Sequence, residues 1–144
     1  MKKDLTTIPL RIVLDSMEYG HSMVWMYNKG TMEYVLLDKG GYDVDSGEYM
    51  YDKLCADSQY VELPNSMINN YELMMDWASN RLYGENREKV IDALMHKYPF
   101  DEFRSAIVRC GVEKEYEEYR HRYQLRMALK FCRVNGLRPV LGGY

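Results

Sequence analysis

The chain has 144 residues, 47% hydrophobic and 28% charged, with a formal net charge of −3, so it is long enough to bury a core without disulfide or metal support. Fourteen Tyr inflate the apolar fraction with polar hydroxyls, and a mean hydropathy of −0.51 with no run of about 18 apolar residues argues against a membrane protein. Asp4 and Arg11 interrupt the N-terminus, leaving no apolar signal-peptide core.

Ile8–Tyr19 reads as a first helix, with Pro9 at the first helical position and Leu10, Val13, Leu14 and Met17 along one face; Gly20 stops it. Met23–Tyr27 and Met32–Leu37 are rich in β-branched and aromatic residues. They flank Asn28-Lys29-Gly30-Thr31, a turn signal in which Gly30 can supply positive φ, so a β-hairpin is predicted. Asp38–Ser58 is acidic and broken by Gly40, Gly41 and Asp45-Ser46-Gly47. It admits a small hairpin, a short helix from Gly47 to Cys55, or an ordered loop. Tyr60–Leu63 reads as a third strand, ended by Pro64.

The rest is helical in pattern. Asn69 and Glu72 form a capping box before a helix with Tyr71, Met74, Met75, Ala78 and Leu82 on one stripe, widened by Leu73 and Trp77 and ended by Gly84. Asn86 caps the next, which carries Val90, Ile91, Leu94 and Tyr98 until Pro99 forbids simple continuation. Phe100, Phe103, Ala106, Ile107 and Cys110 define a short helix closed by Gly111. A long helix of about 23 residues, Glu113–Asn135, follows, with a seam of Tyr116, Tyr119, Tyr123, Met127 and Phe131, and Ala128 and Cys132 alongside. Asn135-Gly136 ends it, with Pro139 beyond. The expected fold is α+β. A small antiparallel sheet of about three strands packs against about five helices in one domain, 1–144, with residues 8–64 holding helix and sheet, 38–58 variable, and 65–138 helical.

Candidate chemistry is sparse. Cys55, Cys110 and Cys132 have no metal or redox spacing, which fits a reducing cytoplasm, and Cys110 and Cys132 read as small buried hydrophobes. His21, His96 and His121 form no ligand pairing, and Asp43-Val-Asp45-Ser-Gly47-Glu48 fails as a calcium loop: its Gly comes one position early and Leu54 stands where a Glu is needed. No catalytic residue, cofactor or metal is therefore assigned. The long helix begins with Glu113, Glu115, Glu117 and Glu118 and continues with basic residues, an order that complements the helix dipole. Arg122, Arg126, Lys130 and Arg133 also recur on one face, a candidate anion or nucleic-acid surface. Residues 1–72 carry 6 Lys/Arg against 12 Asp/Glu and residues 73–144 carry 13 against 10, so the charge is polarised along the chain.

The segments IPLRIVLDSMEY (Ile8–Tyr19), Tyr27-Asn28-Lys29-Gly30-Thr31-Met32-Glu33, Val61-Glu62-Leu63-Pro64 and Asn70–Trp77, with Tyr116, Tyr119, Ala128, Phe131 and Asn135-Gly136-Leu137, together resemble a group of small bacterial proteins of the uncharacterised-protein-family (UPF) type. The resemblance covers about Ile8–Pro139 and implies a fold without an assigned activity. It implies a Gly where this chain has Met32, and a basic Gly-Ala-Phe-Arg-Arg-Phe segment where it has Tyr98-Pro99-Phe100-Asp101-Glu102-Phe103-Arg104. Any anion binding by that basic segment would be lost here. The expected function is a non-enzymatic cytoplasmic interaction or regulatory protein, binding another protein through an aromatic and acidic surface, with Trp77, Phe100, Asp101, Glu102 and Arg104 as candidate contacts. The alternatives are nucleic-acid binding by the basic helical face, an acidic inhibitor of a nucleic-acid enzyme encoded by a mobile element, and a hydrolase with residues assembled from loops.

Overall fold

In the computed structural model, which describes residues 6–19, 23–64 and 70–141, the chain is α+β. Its elements run β1 (Thr6–Pro9), α1 (Leu10–Tyr19), β2 (Val24–Asn28), β3 (Tyr34–Leu37), α2 (Tyr51–Ala56), β4 (Tyr60–Glu62), α3 (Asn70–Arg81), α4 (Gly84–Leu94), α5 (Pro99–Arg109), α6 (Glu113–Val134) and β5 (Leu137–Val140). They fall into two compact units: Met1–Met67 with Gln124–Tyr144, and Ile68–Tyr123.

In the first unit β2 is central, antiparallel to β3 and to β4. The hairpin expected around Asn28–Thr31 is present, but its left-handed residue is Met32 (φ 65°), not Gly30. The Asn28 side chain accepts the amide hydrogens of Gly30 and Thr31 at 2.8 and 3.1 Å, which fixes the turn early and moves the positive φ to its far end. Leu54 of α2 packs with Met26 and Leu37 to close one sheet face.

The helix expected from Ile8 starts only at Leu10. Thr6–Pro9 instead pair in parallel with β5, Thr6 opposite Leu137 and Pro9 opposite Val140. Two β-branched threonines, Ile8 and the extended bias on the residue before Pro9 explain the strand. Tyr27 ties the sheet to β1 by donating its hydroxyl to the Thr7 carbonyl at 2.9 Å. Gln124 of α6, nearly buried, donates to the Glu18 carboxylate of α1 at 2.7 Å. The sequence grouping of 65–138 as one helical part thus differs from the contact pattern, because α6 from Gln124 onward belongs with the strand pair it leads into.

The second unit packs α3, α4, α5 and the start of α6 around Trp77, Val90, Leu94, Phe103, Ile107 and Tyr116. On α3 it is Leu73, Trp77 and Ala78 that are buried, whereas Tyr71, Met74 and Met75 are half-buried, so the core face is rotated toward the residues expected only to widen it. Asn86 lies inside α4; the residue preceding that helix is Tyr83, which makes no side-chain cap, and the helix ends at Leu94, short of Tyr98. Pro99 opens α5, where its missing N–H costs nothing. The deepest positions of α6 are Tyr116, Gln124, Ala128 and Cys132, spaced by multiples of four, while Tyr119, Tyr123, Met127 and Phe131 flank them half-buried. The expected cap at Asn69 and stop at Gly20 lie outside the described residues.

Candidate functional site

The acidic segment of the first unit is an ordered surface. Between Asp38 and Asp57 it carries six acids and two lysines. Three of those acids build its turns. Asp38 accepts the amides of Gly40 and Tyr42 at 2.9 and 3.0 Å, Asp43 those of Asp45 and Ser46 at 2.8 and 3.3 Å, and Asp57 that of Gln59 at 2.9 Å. These are Asx-turns, in which a short carboxylate replaces a backbone acceptor. Asp43, the first residue of the failed calcium motif, thus spends one oxygen on its own loop.

Isolated bridges Leu37–Asp43 and Tyr42–Tyr49 fold the segment back on itself, and Gly41 makes the fold possible. Its φ is +91°, and a Cβ there would lie 2.7 Å from both the Tyr49 ring and Tyr51 Cβ. Only glycine accommodates that conformation and that approach together. The outcome is a tilted Tyr42–Tyr49 pair with ring centroids 5.4 Å apart, each ring 48% exposed, beside Val44 at 45%. Among the described residues none hydrogen-bonds the exposed carboxylates of Asp45 or Glu48. Tyr49 holds its proton more tightly than an ordinary phenol, through desolvation first and the neighbouring Asp52 carboxylate second. Tyr42, Val44 and Tyr49 were not among the residues singled out from sequence. Their signal was available, because apolar side chains off any helical period in a turn-rich acidic stretch have no core to enter.

On the second unit the expected contact set divides. Trp77 is 2% exposed, with its ring 5.0 Å from Tyr116 and 6.1 Å from Phe103, so it is core and cannot meet a partner. α3's rotated face turns this ring inward, in edge contact with Tyr116 and Phe103. Phe100, Asp101 and Arg104 are exposed on α5 and Glu102 is half-buried, so these four remain a surface.

Arg122, Arg126, Lys130 and Arg133 are all exposed along α6. Arg122 falls in the second unit and the other three in the first, so only Arg126, Lys130 and Arg133 belong to one described surface. Cys132 is buried, and burial pushes its thiol up; Cys110 is half-buried and Cys55 exposed, all three as free thiols. Among the described residues no group of three or more His, Cys, Asp or Glu is placed to hold a metal ion, and no helix is long and apolar enough to cross a membrane. The chain matches no family model, and no curated protein or solved structure matches it.

Proposed function

We propose that this chain is a protein-interaction module, not a catalyst, and that its acidic, tyrosine-bearing segment 38–57 engages a basic surface on another protein. The observation that carries this reading is the exposed Tyr42–Tyr49 pair with Val44, held within a net-acidic segment whose turns are fixed by Asp38, Asp43 and Gly41. Tyrosine supplies large contact area with few rotatable bonds, and a surface already ordered loses little entropy on docking. Unengaged carboxylates such as Asp45 and Glu48 steer a cationic partner and reject anionic ones. A protein that handles nucleic acid presents such a cationic face, so an inhibitor of that kind of enzyme is one form of the same reading. The three free thiols support a cytoplasmic location.

The experiment is affinity capture with the tagged full chain and with Asp45→Lys/Glu48→Lys, two exposed positions whose carboxylates serve no turn. A partner retained by the native chain at low salt, released as salt rises and lost by the charge-reversed variant supports the reading. Equal capture by both chains overturns it. A second reading rests on the exposure of Arg126, Lys130 and Arg133 on one stretch of α6, which suits a phosphate backbone. It requires salt-dependent binding of nucleic acid that weakens when the three become Glu.

A further inference from the structure

The connection Met95–Tyr98 is four residues long, so α5 turns back along α4. Between the two helices lies an open groove of about 440 Å³. Ala93 and Ala106, both buried, are among the residues that line it, and neither side chain is large enough to fill much of the space.

The charges on its walls are sorted by height. Asp92 and Glu102 lie within about one turn of the connection, beside His96; Lys89 lies about one turn further along α4, at its midpoint, and Asn86 and Arg109 lie toward the far end. Along α5, Glu102 and Arg109 are seven residues apart, about 10 Å of helix rise. None of Lys89, Asp92, Glu102 and Arg109 is ion-paired among the described residues. Lys89 and Asp92 sit three apart on one helix, a spacing that allows pairing, yet they remain separate. One groove therefore offers acceptors for a cation at one end and donors for an anion at the other.

We propose that the α4–α5 groove binds a short linear zwitterion, its ammonium toward Asp92 and Glu102 and its carboxylate toward Arg109. The separation selects the length. An α-amino acid carries both charged groups on one carbon and cannot reach from Glu102 to Arg109. An extended tripeptide spans about 10 Å between its termini and reaches both. The peptide backbone of such a ligand would lie over Ala93 and Ala106, leaving Asn86 to hydrogen-bond near its carboxylate.

Trialanine is the probe, titrated into the isotope-labelled full chain and followed by backbone amide shifts. The expected result is saturable shifts confined to about residues 86–110, with N-acetyl-trialanine and trialanine amide each about tenfold weaker and glycine not competing. Arg109→Glu is expected to erase the preference for the free acid over the amide, and Glu102→Lys the preference for the free amine over the acetylated form. Each variant thus reports on one end of the ligand, and its unchanged spectrum outside the groove shows that it is folded. Absence of saturation up to about 10 mM trialanine, or equal binding of the capped peptides, overturns the proposal.

Discussion

Tyr116 carries a buried hydroxyl with no hydrogen-bond partner, although its ring is in edge contact with Trp77 and Phe103 at 5.0 and 4.9 Å. Tyr116→Phe keeps those ring contacts and removes only the orphan oxygen. A desolvated, unpartnered hydroxyl costs about 1–3 kcal/mol, so the variant is expected to be more stable by about 1 kcal/mol at pH 7, or roughly 4 °C in Tm. Desolvation also pushes the Tyr116 phenol up to about 12, with Arg120 pulling the other way and Tyr119 adding a smaller push. Below pH 10 the folded and unfolded states both keep the proton and the shift has no effect. Between pH 10 and 12 the unfolded chain ionises first, so native stability falls by up to about 1.4 kcal/mol per pH unit. The phenylalanine variant escapes that loss, and its advantage is expected to grow to about 2 kcal/mol at pH 11. Urea unfolding at both pH values, in a Trp25→Phe background that leaves Trp77 as the fluorescent reporter, measures both numbers. A variant less stable than its parent at pH 7, or an advantage that does not grow with pH, would refute the reasoning.

Met32 adopts φ 65°, where a side chain costs about 1–2 kcal/mol, partly offset for glycine by its extra freedom when unfolded. Met32→Gly is expected to stabilise by about 0.5–1 kcal/mol in chemical denaturation. Gly41→Ala meets both a positive φ and two contacts at 2.7 Å, and is expected to cost about 2 kcal/mol or more and to loosen the Tyr42–Tyr49 pair, read by amide exchange across 38–57. Trp77→Ala and Phe100→Ala separate core from surface. The first is expected to cost about 3–5 kcal/mol and the second under about 1 kcal/mol, with similar costs for both contradicting the burial assigned to them.

Periodic and local signals made much of the fold legible. The β2–β3 hairpin, the start of α5 at Pro99 and the long α6 follow from alternation, turn chemistry and helical spacing that neighbouring residues carry by themselves. The β1–β5 pair was not legible, because a parallel pairing between Thr6 and Leu137 is set by contacts far apart in the chain, and each strand contains a proline that argues locally against a ladder. The burial of Gln124 was equally hidden, since its reason is a carboxylate on another helix, Glu18. The rotation of the α3 face shows a different limit. Trp77 and Met74 are both apolar, and only packing decides which turns inward. On the candidate surface the acids were visible as composition, but their division into turn-forming Asp38, Asp43 and Asp57 and unengaged Asp45 and Glu48 depends on backbone geometry.

The acidic, tyrosine-bearing surface is tested most directly by quantitative capture with the full chain and its Asp45→Lys/Glu48→Lys variant across a salt series. The expected result is a basic protein retained by the native chain, released with rising salt and absent from the variant, with both chains equally stable to within about 0.5 kcal/mol. Retention of the same partner by the charge-reversed variant, or binding indifferent to salt, would contradict the account.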